Sequence, residues 1–283
     1  MTDEITAHLR LPTGPVDLTA IGTDAAPGFI GDKTDGRAAL RAMGAELADL
    51  QERLWAERTA GSQRRVLLVL QGMDTSGKGG VVRHAVGLVD PQGVRVTSFK
   101  APTAEERAHD FLWRIEKGLP AAGYLGVFDR SHYEDVLIAR VRELADRTEI
   151  ERRYGAINDF EARLADEGFS LIKCMLHISA DEQKARLAER LANPEKHWKY
   201  NPGDIDERAL WPAYRDAYET ALERTNTDAA PWHVVPAGKK WFRDLAVGQL
   251  LLETLRGLDP QWPTADFDVA AEIARLDHEP PVR

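Results

Sequence analysis

The segment 66–80 constrains the fold of this chain more than any other stretch. Residues 66–70 form an unbroken apolar run that is typical of a buried strand. Gly72 and the pair Gly77-Lys78 follow at the spacing of a phosphate-binding loop, and a helical pattern begins near Val81. The N–H groups of such a loop and the N-terminus of its helix form a cradle for anions. The segment therefore predicts a strand, loop and helix that together bind phosphate.

Two residues of this loop depart from the usual pattern. The usual loop places Ser or Thr after the lysine, where the hydroxyl binds Mg²⁺, but this chain has Gly79. An acid, Asp74, stands inside the loop instead. A metal ion bound by Asp74 would explain both departures. The alternative, a chance match to the loop spacing, is disfavoured by the apolar run directly before it. The candidate phosphate contacts of the loop are Gly77, Lys78, Gly79 and Gly80.

Length, charge and cysteine content limit the class of protein. The 283 residues suffice for one large α/β domain, and the formal net charge of −9 argues against general nucleic-acid binding. No apolar run approaches the roughly 20 residues that span a bilayer, and the first residues lack the pattern of a signal peptide. The single Cys174 excludes an intramolecular disulfide, and we expect a buried, inert thiol. These features favour a cytoplasmic protein without membrane or nucleic-acid partners.

Predicted strands alternate with predicted helices along the chain. The strands are predicted at 66–70, 94–100, 124–130, 171–179 and 232–237. This alternation predicts an α/β protein, a three-layer sandwich around a five-stranded parallel sheet, in one domain spanning 1–283. Residues 1–60 are expected to form an irregular arm, to about residue 34, and then one helix from Asp35 to about Arg58. A proline-bounded segment at 193–204, within a helical module at 180–225, predicts a lid.

A second candidate cluster follows the third predicted strand. Because ligands of open α/β sheets bind outside the carboxyl ends of the strands, Asp129 is expected to face Asp74 and Lys78. Two carboxylates beside a phosphate chain suit Mg²⁺, which prefers oxygen ligands. Arg130 has the planar fork that binds phosphate oxygens. Alternatively, Asp129 caps a helix or pairs with Arg130. The alternative for Arg130 is an ion pair with Asp129 or Glu134.

The lid region is rich in cations. They are Lys184, Arg186, Arg190, Lys196, His197 and Lys199. A charge run is ordinarily a solvated helix face, and we expect no more of Lys184. Arg186 and Arg190 are four residues apart and share a face, which leaves a movable cationic cover as the other interpretation. After the second strand, Phe99 and Lys100 are either a sandwich for a base or, for Phe99, an ordinary core contact.

Five motifs taken together resemble the family-2 polyphosphate kinases. They lie at 72–80 (GMDTSGKGG), 99–103 (FKAPT), 109–114 (HDFLWR), 129–136 (DRSHYEDV) and 193–199 (NPEKHWK), and the resemblance covers roughly residues 27–260. It implies a P-loop kinase fold similar to thymidylate kinase, with a helical lid. It also implies reversible transfer of a phosphoryl group between inorganic polyphosphate and nucleotides such as ADP, AMP or GDP, in a homo-oligomer that is a dimer or tetramer.

The resemblance also implies roles for individual residues. Asp74, Lys78, Asp129 and Arg130 would form the catalytic set, in which Asp74 and Asp129 coordinate Mg²⁺ or Mn²⁺. The loop glycines together with Lys78, Arg130, Arg190, Lys196 and Lys199 would bind polyphosphate. The nucleotide would lie toward Phe99, Lys100, Arg114, Tyr133 and Glu134.

Subclass and alternative functions follow from the same motifs. The segments at 131–136 and 193–199 look like the third class, which phosphorylates both nucleoside mono- and diphosphates. Members of that class often carry Asn where this chain has Asp129, and Asp there resembles the diphosphate-using first class.

Two alternatives remain at this point: an ATP-dependent nucleoside monophosphate kinase of similar fold, and a non-catalytic polyphosphate-binding protein. Use of ATP instead of polyphosphate as phosphoryl donor would identify the monophosphate kinase. Polyphosphate binding without turnover would identify the binding protein.

Overall fold

The computed structural model describes residues 3–279 and contains one parallel sheet. Its strands are β1 (Arg65–Gln71), β2 (Val94–Ser98), β3 (Leu125–Asp129), β4 (Phe169–His177) and β5 (Trp232–Pro236). Their order in the sheet is β2-β3-β1-β4-β5, and every neighbouring pair is parallel. Each predicted strand is present, with ends that differ by no more than two residues. The predicted α/β class with a five-stranded parallel sheet is therefore confirmed.

Helices cover both faces of this sheet. They are α1 (Asp3–Leu9), α2 (Lys33–Ala42), α3 (Gly44–Glu57), α4 (Lys78–His84), α5 (Ala104–Arg107), α6 (Trp113–Gly118), α7 (Ile138–Val141), α8 (Arg147–Asp166), α9 (Ala180–Ala192), α10 (Gly203–Arg208), α11 (Trp211–Thr225), α12 (Lys240–Leu258) and α13 (Val269–Asp277). Side chains alternate along β1, so that Leu68 and Leu70 pack toward α3 and α12 while Leu67 and Val69 pack toward α8 and α11. The two cores make the three layers of the sandwich.

The N-terminal region is more ordered than an irregular arm. Ile5 and Leu9 of α1 are buried in the core, and Arg10 forms an antiparallel bridge with His233 of β5. A helix of seven residues is too short to produce a periodic pattern, which is why the sequence does not reveal it. The single helix expected from Asp35 is instead two, α2 and α3, and it is Asp32 that caps α2 while Asp35 completes the capping box.

The lid module also divides more finely than the sequence predicts. Helix α9 leads into a short 3-10 helix (Pro194–Lys199), and the rest of the module contains two helices, α10 and α11. Thr103 and Glu106 form a capping box at the start of α5, which ends at Arg107, and the chain is helical again in α6. No helix within residues 3–279 is long and apolar enough to cross a membrane.

Candidate active site

The phosphate loop follows β1 at the carboxyl edge of the sheet. It has left-handed backbone at Gly72 (φ 146°), Thr75 (φ 68°) and Gly77 (φ 107°). A side chain at Gly77 is excluded by sterics as well, since a Cβ there would lie 1.7 Å from a guanidinium nitrogen of Arg243. A Cβ at Gly72 would lie 2.6 Å from the carbonyl oxygen of Leu176. Both glycines are therefore required by the conformation of this loop.

Lys78 folds back over the phosphate loop. Its ammonium donates a hydrogen bond to the Gly72 carbonyl over 2.8 Å. Burial lowers the pKa of Lys78, whereas the nearby carboxylates of Asp74, Asp129 and Glu134 act in the opposite direction. Asp129 at the end of β3 stands beside Leu70 near the end of β1, so it lies at the same edge of the sheet as the phosphate loop.

Arg130 connects the end of β3 to the phosphate loop. Its Nη2 donates to Asp74 Oδ1 over 2.8 Å, so its ion-pair partner is Asp74. The backbone of Arg130 is left-handed (φ 63°), and its N–H donates to the Leu70 carbonyl. Burial opposes the charge of Arg130, but the carboxylates of Glu134 and Asp74 outweigh it and raise its pKa above the ordinary value.

A cavity of about 240 Å³ separates this cluster from the lid. Its charged lining residues are Asp74, Arg130, Glu134, Asp204 and Glu207. Burial raises the pKa of Glu134 and that of Asp204, and the charge of Asp74 raises both further. Because four carboxylates face one guanidinium here, a bound phosphate chain needs further cations. A larger cavity of about 390 Å³ under residues 18–23 is mainly apolar and is not lined by these charged groups.

The cations of the lid are engaged with other lid atoms. Arg190 donates to the Lys199 carbonyl over 2.8 Å and lies 3.5 Å from Asp204. Lys196 forms an ion pair with Glu189. The Lys199 ammonium lies 4.8 Å from the ring centre of the exposed Trp198. Lys196 and Lys199 are at the surface, where exchange of partners is easy, whereas Arg190 is half-buried and faces the buried Asp204.

The five residues expected near a nucleotide lie in different environments. Lys100 is exposed and Glu134 lines the cavity. Phe99 is buried and packs edge-on against Phe128, and the buried Arg114 donates to the Lys100 carbonyl and to Asp135. Tyr133 is fully buried. Among these five, Glu134 is the residue that lines the cavity, and Lys100 is exposed outside its lining.

Tyr133 belongs to a buried polar network that sequence reasoning missed. The Lys173 ammonium donates to Glu161 Oε2 (2.6 Å), to the Tyr133 hydroxyl (2.9 Å) and to the Thr225 carbonyl (2.7 Å). Tyr133 in turn donates to Glu161 Oε1, to which a ring nitrogen of His132 is also hydrogen-bonded. The available signal was Lys173 itself, a lone cation within the apolar run of β4.

Further contacts of the phosphate loop were also missed. Tyr218 of α11 accepts a hydrogen bond from the Gly72 N–H over 3.1 Å, and buried Arg243 of α12 packs against Gly77 and Gly80. Arg186, interpreted above as a possible lid cation, is buried beneath the loop. None of these has a signal in the sequence, because each depends on a contact between distant segments.

The carboxylates fit a metal ion that binds together with phosphate. No cluster of three or more His, Cys, Asp or Glu side chains able to hold a metal occurs within residues 3–279. Asp74 and Asp129 nevertheless lie at the same edge of the sheet, and the charge of each acts to raise the pKa of Lys78 against the effect of burial. Mg²⁺ is commonly bound by one or two carboxylates plus water and substrate phosphates. The pair therefore suits Mg²⁺ whose remaining ligands come from the substrate.

Comparisons with known proteins agree on one family. A family model described as polyphosphate kinase 2 matches residues 31–263. The chain is 47% identical to an AMP/ADP-polyphosphate phosphotransferase of Meiothermus ruber, over 89% of this chain and 93% of the relative. It is 40% identical to an ADP-polyphosphate phosphotransferase of Rhodopseudomonas palustris, over 91% and 92% of the two chains.

A solved structure extends the similarity to the whole fold. The crystal structure of polyphosphate kinase 2 from Arthrobacter aurescens TC1 superposes with a TM-score of 0.95 at 57% identity, covering 98% of both chains. The family model spans most of the chain, and the phosphate loop, the Asp129-Arg130 pair and the lid cations all lie within it. The chain therefore belongs to the polyphosphate kinase 2 family.

Proposed function

We propose that this protein is a Mg²⁺-dependent phosphotransferase that moves a phosphoryl group reversibly between inorganic polyphosphate and nucleoside di- or monophosphates. The observation that carries the proposal is the meeting of Lys78, Arg130, Asp74 and Asp129 at one edge of the sheet. Phosphoryl transfer needs cations around the moving group, because negative charge spreads over its oxygens. The names of the similar proteins support the donor and the acceptors.

Each residue of the cluster has a proposed role. The N–H groups of the phosphate loop and the Lys78 ammonium bind the phosphate that is transferred. The Arg130 guanidinium exchanges Asp74 for phosphate oxygens and orients them through its fork. Asp74 and Asp129 hold Mg²⁺, which when bound neutralises charge on the phosphates. Glu134, in the cavity wall, faces the nucleotide.

The lid supplies the rest of the polyphosphate site in this proposal. Arg190, Lys196 and Lys199 release their present partners and bind the phosphate chain. The contacts of Lys196 and Lys199 are at the surface, and exposed ion pairs contribute only about 0–1 kcal/mol each. Exchange of these two cations therefore costs little free energy, whereas release of the half-buried Arg190 from Asp204 requires movement of the lid itself.

The acceptor range is proposed from one residue, Asp129, and from the names of two relatives. An aspartate at position 129 resembles the first class of the family, which uses nucleoside diphosphates. The Rhodopseudomonas relative is named for ADP. The Meiothermus relative, with higher identity, is named for both AMP and ADP. We therefore include both nucleoside mono- and diphosphates, with ADP, AMP and GDP as the acceptors to test.

The decisive experiment is a matrix of phosphoryl donors and acceptors. Polyphosphate and ATP are each incubated with AMP, ADP, GDP or dTMP in the presence and absence of Mg²⁺, and products are separated by ion-exchange chromatography. We expect ATP from polyphosphate and ADP, and no product after chelation of the metal. Reaction of ATP with AMP or dTMP but not of polyphosphate would instead identify a nucleoside monophosphate kinase. Tight polyphosphate binding without any product would identify a binding protein.

Assembly and location complete the proposal. The family resemblance favours a dimer or tetramer, and the composition favours the cytoplasm. Leu40, Leu47 and Leu54 of α2 and α3 are buried in the core and are therefore not available for assembly. Light scattering coupled to size-exclusion chromatography measures the mass, and a monomer would remove this part of the proposal.

A further inference from the structure

Helix α9 holds three successive carbonyl groups of the phosphate loop. Gln183 Nε2 donates to the Asp74 carbonyl over 3.0 Å. Arg186 Nη1 donates to the Thr75 carbonyl over 2.8 Å and to the Ser76 carbonyl over 3.0 Å. Both side chains are buried, with 4% and 6% of their surface exposed. The conformation of the loop between Gly72 and Gly77 is thus fixed from the side of α9.

These contacts determine where the N–H groups of the loop point. In a planar trans peptide the N–H of one residue is antiparallel to the carbonyl of the residue before it. The N–H groups of Thr75 and Gly77 consequently point away from α9. Neither of them has a hydrogen-bond acceptor within residues 3–279, so both are free to bind an anion. Arg186 therefore orients donors from behind the loop, and Gln183, which also lines the cavity, fixes the Asp74 carbonyl from its side.

The same helix carries the anchor of the lid one turn later. Arg190 is four residues after Arg186 and holds the Lys199 carbonyl and Asp204. Arg208 of α10, on the far side of the lid, donates to Gln183 Oε1 over 3.0 Å and to the Ala180 carbonyl over 2.7 Å. Both halves of the lid are thereby connected to the phosphate loop through α9.

The geometry assigns Arg186 and Gln183 as positioning residues that couple the lid to the phosphate loop. A shift of α9 that accompanies lid movement acts on the Asp74, Thr75 and Ser76 carbonyls, and hence on the N–H groups that bind the transferred phosphate. Arg186 is also fixed at its other end, because it donates to the Ala237 and Gly238 carbonyls after β5 and forms an ion pair with Glu182. The inference rests on the proposed function.

The test compares Arg186→Met with Arg186→Lys, Gln183→Leu and Arg190→Met. Loss of oriented donors acts on the transition state, so we expect Arg186→Met to lower kcat by about 100-fold. The KM for polyphosphate should change by less than about threefold, because the lid cations remain. Arg190→Met should show the opposite pattern, with a raised KM. Arg186→Lys should restore part of kcat, and Lys184→Met, an exposed cation on α9, serves as the matched control.

Coupling is measured by the double variant Arg186→Met/Arg190→Met. If α9 connects the two sites, the effect of Arg190→Met on the KM should be smaller in the Arg186→Met background than in the wild-type protein. Multiplicative effects, or a kcat of Arg186→Met within threefold of wild type, would overturn the inference. Should Arg186→Met fail to fold, Gln183→Leu carries the same test, since it removes one hydrogen bond to the loop and one to Arg208 of the lid. Absence of turnover in the wild-type protein would instead refute the proposed function.

Discussion

Asp74 and Arg130 form an ion pair across the mouth of the candidate site, with 2.8 Å between Oδ1 and Nη2. The acid comes from the phosphate loop and the guanidinium from the residue after β3, so the pair joins the two sequence elements from which a phosphate site was predicted. More than a third of the Arg130 side chain is exposed, so the pair is weak. Each partner is therefore available for a ligand of opposite charge, a metal ion for Asp74 and a phosphate for Arg130.

Substitution of either predicted metal ligand should reduce turnover and alter its metal dependence. For Asp74→Asn and Asp129→Asn we expect kcat to fall by about 100-fold or more, because a catalytic metal ion contributes several kcal/mol. The Mg²⁺ concentration for half-maximal rate should rise in both variants. Mg²⁺ titrations of the initial rate provide the measurement, with the exposed Asp228→Asn as control. Full activity in one variant would remove that residue from the proposed metal site.

Arg130→Gly should lower activity without lowering stability. The left-handed backbone at Arg130 is unfavourable for any residue with a Cβ, by about 1 kcal/mol or more, and glycine relieves it. We therefore expect the free energy of unfolding in urea to be unchanged or higher, while kcat/KM for polyphosphate falls at least about 100-fold. Arg130→Lys keeps the charge but lacks the fork, and should retain an intermediate activity. A destabilised but active glycine variant would contradict this reasoning.

The alkaline limb of the pH profile should report Lys78. Burial lowers the pKa of its ammonium below the ordinary 10.5, and negative charges nearby oppose this. Because Glu134 is one of them, Glu134→Gln should lower the pKa of Lys78 further and move the alkaline limb of kcat/KM to lower pH. Rates measured across the alkaline range test this, with the exposed Glu52→Gln as control. A limb that stays in place or moves upward would exclude Lys78 as the titrating group.

Strand positions and the edge of the sheet that carries the site could be predicted from the sequence. Mostly apolar runs indicated β1, β3, β4 and β5, since buried parallel strands are apolar on both faces. The edge strand β2 is different, because its side chains are mostly exposed. The glycine spacing indicated the phosphate loop, and the position of Asp129 after a strand placed it at the same edge of the sheet. Division of long helices into α2 and α3, or α10 and α11, was not predictable, because the apolar pattern continues across each break.

Contacts that shape the site from behind could not be predicted. Arg186 was noticed only as one of several lid cations, yet its guanidinium reaches carbonyls more than 100 residues earlier in the chain. Tyr218 and Arg243 meet the loop in the same way, by tertiary packing alone. Lys173 is different, because a cation within an apolar strand predicts a buried partner of opposite charge. The sequence alone does not identify that partner as Glu161.

The Lys173–Glu161 pair should be a strong determinant of stability. Both side chains are fully buried, so Lys173→Met leaves the Glu161 charge without its cation, and we expect a loss of about 3–5 kcal/mol in the free energy of unfolding. The double variant Lys173→Met/Glu161→Leu should recover part of this loss, because no unpaired charge then remains. Urea unfolding of both variants, with Lys184→Met as the exposed control, measures the effect. Equal stability of the single variant and the wild type would contradict it.

Acid should weaken the same pair. Burial alone would raise the pKa of Glu161, but the charge of Lys173 and the contact with His132 outweigh it, and the net pKa is lowered from the ordinary 4.5. A carboxyl group with a lowered pKa in the folded state contributes stability that is present above pH 4.5 and is lost as the pH falls through the folded-state pKa. The stability that the pair contributes should therefore decrease below pH 4.5. We expect the free energy of unfolding of the wild type to fall relative to that of the double variant as the pH is lowered.

Gly77→Ala and Gly79→Ala should differ sharply although the two positions are two residues apart. A Cβ at Gly77 would meet Arg243 at 1.7 Å on a left-handed backbone, whereas a Cβ at Gly79 has no atom within 4 Å. We expect Gly77→Ala to displace Arg243 and distort the loop, lowering both thermal stability and kcat. Gly79→Ala should retain the stability of the wild type, because space is open around it.

Activity of the Gly79 variant then tests the substrate side of the loop. If polyphosphate approaches the backbone at Gly79, the added methyl group should raise the KM for polyphosphate without any change in melting temperature. Gly79→Ser adds a hydroxyl at the position where the usual loop places one. It should raise the KM for polyphosphate as Gly79→Ala does, and by less if the hydroxyl reaches Mg²⁺. Unchanged kinetics in both Gly79 variants would show that the phosphate chain does not contact this face, and would limit the anion cradle to Gly77 and Lys78.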